Sequence, residues 1–168
     1  MGSNVDAIDR LLGHDAWTTR RLLERCRELD DAQMDRAHGI GPGGLRATLE
    51  HVVWNMEAWG DVLRDGTHRA RPQGPHTVDS LLARLDAAAP ALAAAARRVR
   101  DEGRVDDAWV HPTKGPRTST LGGVIAHVTT HGMHHRAQVL YMMKRSGLSD
   151  LPEGDVLTWE EELRAGRA

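Results

Sequence analysis

Four histidines fall within nine residues, in the run His127-Val-Thr-Thr-His131-Gly-Met-His134-His135. If the run is helical, His131 and His135 stand about one turn apart on one face, their side chains one above the other. Two neutral imidazoles placed so can share one divalent ion such as Zn, Ni or Fe, at ~2.0–2.1 Å per nitrogen if the metal is zinc. The bland alternative is a pair of hydrogen-bonded core residues. That alternative is costly on an apolar face, because each ring carries two polar nitrogens into a region short of water. A third ligand decides between the two.

The element that must carry this run is an amphipathic helix over about Thr120 to Ser146, stopping at Gly147. Along it Val124, Val128, His131, His135, Val139 and Met142 form one stripe, which makes the histidine pair inward-facing. Three more long helices are predicted. The first runs from about Asp6 to Leu29 with Ser3 or Asn4 as its cap, and its apolar stripe passes through Asp15 and Thr19. The second covers about Leu45 to Arg64. The third starts between Thr77 and Ser80 and reaches about Asp101, and Pro90 is expected to kink or interrupt it. Between them lie a glycine-rich loop at 38–44, a polar connection at 67–76, and a long loop at 103–119. That last loop carries Pro112, Gly115 and Pro116 and has room for a short hairpin. The tail holds a short amphipathic piece around Trp159 to Leu163. This pattern describes an all-α chain, a four-helix bundle built as a single domain over residues 1–168, with loops on both sides of the third helix long enough to cross over.

On the second helix His51 lies off the centre of the stripe Leu45, Leu49, Val52, Met56 and Leu63, and away from the charged arc that includes Glu50, Glu57 and Asp61. Its position permits an inward ligand without requiring one. On the fourth helix His127 and Gln138 share the inward side, either orienting a ligand imidazole or serving as ordinary packing residues. His134 lies farther round, toward solvent or a substrate cavity. His14 on the first helix is in range of an open metal position, with a surface or interface role the simpler expectation. Arg136 either takes an anionic substrate or faces water. Trp54 and Trp59 read as core or dimer-interface aromatics, Cys26 as an inert core thiol, and the charges from Arg97 to Arg104 as a solvated helix end.

Composition narrows the partners. The formal net charge is -2, and no basic block stands out to neutralise a phosphate backbone, which argues against nucleic acid. One cysteine excludes an internal disulfide, and no apolar run approaches the ~20 residues of a membrane span. The first residues include Asp6 and Asp9 and no apolar leader core, so the expectation is a cytoplasmic protein with a small-molecule partner.

Several stretches together resemble the DinB/YfiT-like metal-binding bundles. They are His14-Asp-Ala-Trp17, Thr48-Leu-Glu-His51 followed by Glu57-Ala-Trp59, the run from His127 to Gln138, and Asp155-Val-Leu-Thr-Trp159-Glu160. The resemblance covers nearly the whole chain, with Ala137 where glycine is common. It implies a four-helix bundle, a metal triad of His51, His131 and His135, and a homodimer. Three histidine ligands leave a coordination position open, the pattern of a catalytic site. Similar proteins conjugate or isomerise with low-molecular-weight thiols such as bacillithiol or mycothiol. The implied function is a metal-dependent thiol transferase or isomerase, with loops 36–44 and 104–119 shaping a cavity for the electrophile. Two alternatives compete. Metal-dependent hydrolysis needs a general base; no Glu or Asp stands beside His131 or His135, so it would come from another helix, such as Glu57 or Asp15. A non-catalytic bundle would use the metal for stability, sensing or dimerisation.

Overall fold

Side-chain oxygens mark where the helices of this chain begin. The computed structural model describes residues 5–74, 76–111, 118–152 and 154–167. Helix α1 (Ala7–Arg25) starts at Asp6, whose carboxylate accepts from the Asp9 amide at 2.9 Å. The expected caps Ser3 and Asn4 lie outside the described residues. A 3-10 turn over Cys26–Glu28 ends that helix earlier than expected. The short α2 (Asp31–Asp35) then opens with a capping box in which Asp30 and Gln33 satisfy each other's backbone amides. Helices α3 (Leu45–Asp65), α4 (Val78–Asp101), α5 (Leu121–Arg145) and α6 (Val156–Arg164) follow. Thr77, Thr120 and Asp155 cap α4, α5 and α6.

Pro90 does not break α4. It sits on the exposed side, so the carbonyl left without a donor turns to water, while the surrounding alanines hold the helix.

The four long helices form a ring in the order α1, α4, α3, α5, with α1 and α3 on one diagonal and α4 and α5 on the other. The chain therefore crosses the bundle twice. The first crossing, from α1 to α3, uses α2 and the glycine-rich loop. The second, from α4 to α5, uses an antiparallel hairpin of β1 (Ala108–Val110) and β2 (Thr118–Thr120). Pro112, Gly115 and Pro116 of that connection lie outside the described residues. The 67–76 connection, expected to be free for a crossover, instead joins neighbours and is tied down by arginines. Arg69 grips Asp61 at 2.9 Å, Arg71 meets Glu50 at 2.6 Å, and Arg84 of α4 meets Glu57 at 2.7 Å. The acidic arc of α3 is thus covered, with Glu50 and Asp61 buried. The end of α4 is likewise not simply solvated, since Arg97 and Arg100 reach Asp9 and Asp6 at 2.5 and 2.7 Å.

Leucine and methionine fill the core, among them Leu22, Leu49, Met56, Leu85 and Met142. Cys26 is fully buried there, and burial pushes its thiol up to about 12. No helix among the described residues is long and apolar enough to cross a membrane.

Candidate metal centre

The packing of α3 against α5 brings His51 to the face that carries His131 and His135. One ring nitrogen from each of the three lies within 4.8 Å of the others. His51 Nε2 stands 3.1 Å from His131 Nε2, and the His51 and His131 rings lie 4.7 and 4.4 Å from that of His135, centre to centre. All three are held neutral. Burial, reinforced by the neighbouring imidazoles, brings His51 and His131 down to about 4, and burial lowers His135 as well.

Two amide side chains decide which nitrogens face the centre. Asn55 Oδ1 accepts from the Trp59 indole N–H at 3.1 Å, and its Nδ2 donates to the His51 carbonyl at 2.9 Å. An indole N–H only donates and a carbonyl only accepts, so the amide can lie in one orientation alone. Its Nδ2, 3.1 Å from His51 Nε2, therefore makes that nitrogen an unprotonated acceptor. The proton of His51 sits on Nδ1, which is buried without a hydrogen-bond partner. On α5, Gln138 spans His134 and His135, its Oε1 2.8 Å from His135 Nδ1 and its Nε2 2.9 Å from His134 Nε2. With the amide in that orientation His135 is protonated at Nδ1 and its Nε2 keeps a lone pair. Gly41, at φ +62, presses on the same amide: a Cβ there would come within 2.6 Å of Gln138 Oε1.

The inner face of α5 is fixed against α1 by a buried ion pair between Arg136 and Asp15, whose side chains are 5% and 2% exposed. Burial lowers Arg136 to about 10, which leaves it charged at neutral pH. Gly132, the residue after His131, admits this pair, because a Cβ at that position would meet Asp15 Oδ1 at 2.5 Å and Arg136 Nη1 at 2.8 Å.

Beside the triad opens a cavity of about 510 Å³, walled by Trp59, Trp109, His111 and His127, with Val124 and Thr120 among its other lining residues. His127 connects the two, its ring stacked on that of His131 at 4.8 Å between centres.

A model of the DinB family matches residues 1–162. The chain belongs to the DinB family. No curated protein and no solved structure matches it.

In this DinB-family chain the expected triad comes together from residues 80 apart in sequence, His51 and His131. Gln138 touches His135, and His127 lies at the cavity wall against His131. His134 is exposed and reaches the triad through Gln138. Two expectations are corrected. His14 is buried rather than at a surface or interface: its Nε2 meets the Gly154 carbonyl at 2.6 Å and holds the C-terminal segment. Arg136 neither faces water nor waits for an anion, because Asp15 neutralises it inside the bundle. The two bases that hydrolysis would call on are occupied, Asp15 by Arg136 and Glu57 by Arg84. Trp59 packs half-buried against the core, as expected, and also forms a cavity wall.

Sequence reasoning passed over Asn55, Trp109 and His111. Asn55 had a readable signal, since His51, Asn55 and Trp59 follow one another at spacings of four. Trp109 and His111 lie in the 104–119 loop expected to shape the cavity, but nothing in the sequence singles out those two, which the pairing of β1 with β2 carries to its mouth.

Proposed function

We propose that His51, His131 and His135 hold one divalent metal ion, and that the protein is a metal-dependent transferase working with a low-molecular-weight thiol. The observation that carries the metal reading is the facing of His51 Nε2 and His131 Nε2 at 3.1 Å, with His135 beside them. Three neutral rings fit a borderline cation in donor type and number, and a cation at His51 Nε2 would take over the one lone pair that the Asn55 amide holds without it. The competing way to satisfy the Nε2–Nε2 contact is a neutral hydrogen bond, with His131 protonated on Nε2 and donating to His51 Nε2, and metal uptake distinguishes the two.

A divalent ion at this position supplies Lewis acidity, which keeps a thiol deprotonated and nucleophilic near neutral pH. The chain's own residues do the rest. Asn55 and Gln138 hold the tautomers of His51 and His135. The Asp15–Arg136 pair holds α5 in place, and the ring-lined cavity receives the second substrate. Asp15 and Glu57 are both held by arginines, so neither carboxylate is free to serve as the base that hydrolysis would call on.

The test is elemental analysis of the purified protein beside His131→Ala, followed by thiol-transfer assays. Near one equivalent of metal in the wild type, little in the variant, and a thiol-dependent rate lost with the metal support the reading. An absence of metal after reconstitution with Zn, Ni and Fe rejects it. A full complement of metal with no rate for any cellular thiol rejects the transferase part alone.

A further inference from the structure

We infer that the cavity beside the triad is a site for a planar aromatic ring, so that the electrophile in the proposed transfer is an aromatic compound. The ligand's role as electrophile rests on that proposed function; the binding site is defined by the cavity alone.

Its volume of about 510 Å³ suits a small organic molecule. Its walls are rings set nearly at right angles. Trp59 and Trp109 meet at 78° with centres 5.5 Å apart, Trp59 and His127 at 78° and 5.4 Å, and Trp109 and His111 at 65° and 5.3 Å. A flat ring in such a corner lies face-on to one wall and presents its edge to the next, the two arrangements that aromatic quadrupoles favour. The walls are also fixed in advance. Trp109 donates its indole N–H to the Gly66 carbonyl at 3.1 Å, and Trp59 donates to Asn55.

The remaining lining disfavours other chemistries. Among the described residues, no lining side chain carries a formal charge except through a histidine. Among the described lining residues Ser119 and Thr120 carry the hydroxyls, and Thr120 already caps α5 at the Gly123 amide, 3.0 Å away. A saturated ring would gain neither the stacked nor the edge contact. His127 lies between the cavity and His131, which puts a bound ring one imidazole away from the triad. In the transfer, the thiol sulfur bonds to an activated ring or benzylic carbon, the leaving group departs with its bonding pair, and the thiol proton passes to solvent.

The test is calorimetric titration of the purified protein with three probes: 2-naphthol, decahydro-2-naphthol and methyl glucoside. Metal content is counted on the same sample. The naphthol is expected to bind about tenfold more tightly than its saturated counterpart, the worth of one stacked and one edge contact. Trp109→Leu should abolish that preference, and Trp109→Phe should retain it. Equal affinity for the saturated alcohol, a preference for the glucoside, no naphthol binding, or an unaltered preference in Trp109→Leu overturns the inference. The comparison of probes in the wild type stands even if a variant fails to fold. Naphthol binding to a protein that takes up no metal defeats the metal reading alone, and metal uptake without naphthol binding defeats this one alone.

Discussion

Two glycines in the middle of long helices should answer the same substitution with opposite signs. A glycine-to-alanine change inside a helix ordinarily stabilises by about 1 kcal/mol. At Gly60 of α3 the new methyl would find Leu92 at 3.6 Å, an ordinary contact, so Gly60→Ala should keep that gain. At Gly132 the methyl would stand 2.5 Å from Asp15 Oδ1 and 2.8 Å from Arg136 Nη1. Neither group can swing out, because their side chains are 2% and 5% exposed. Forcing them apart leaves buried charge uncompensated, at about 3–5 kcal/mol. Subtracting the helix gain, Gly132→Ala should lose about 2–4 kcal/mol, or roughly 5–15 °C in melting temperature for a chain of this length. Urea denaturation followed by circular dichroism, on both variants and the wild type with metal removed, measures the difference directly. If Gly132→Ala proves as stable as Gly60→Ala, then α1 and α5 do not approach this closely, and the ion pair does not brace the triad.

Asn55→Ala removes the amide that occupies the His51 Nε2 lone pair in the metal-free protein, so metal binding, read by competition with a chelator, should not weaken. The substitution should also mix the His51 tautomers in the metal-free protein, visible in the ¹⁵N shifts of the ring; unchanged shifts would show that the amide does not choose the tautomer. Because His51 and His131 titrate near 4 in the fold but at the ordinary value near 6.5 when unfolded, the unfolded chain binds more protons between those limits. The metal-free protein should therefore hold its full histidine contribution above pH 6.5 and lose stability progressively down to about 4, and urea midpoints that stay flat across this window would contradict the burial of these rings. Cys26, fully buried with its thiol pushed up to about 12, should react with a thiol reagent such as Ellman's only as fast as the protein unfolds. Labelling that outruns unfolding would place it elsewhere.

The long helices were readable because their apolar residues recur at one period over many turns, which few other structures tolerate. The i, i+4 pair on α5 was readable for the same reason. His51 was not fixed by periodicity, because which side of a helix faces which neighbour depends on the ring order of the bundle, and that order is set by the crossovers. Pro90 misled because a proline's cost depends on where the freed carbonyl points, and on the exposed side of α4 water takes it. Asp15 looked like a polar gap in an apolar stripe; it is the partner of Arg136, a residue far along the chain that no local pattern links to it. The short α2 was legible in principle, since Asp30 and Gln33 stand at capping-box spacing, but a helix of five residues has too little periodicity to register.

The separation of His51 from His131 by 80 residues also sets a clock on synthesis. When α3 leaves the ribosome its histidine has no companion, and it stays so while α4 and the hairpin are made. The full ligand set exists only after α5 has emerged and the second crossing has closed. Until then the chain can offer at most the His131 and His135 pair of α5, and the three-nitrogen cluster is a property of the finished bundle alone.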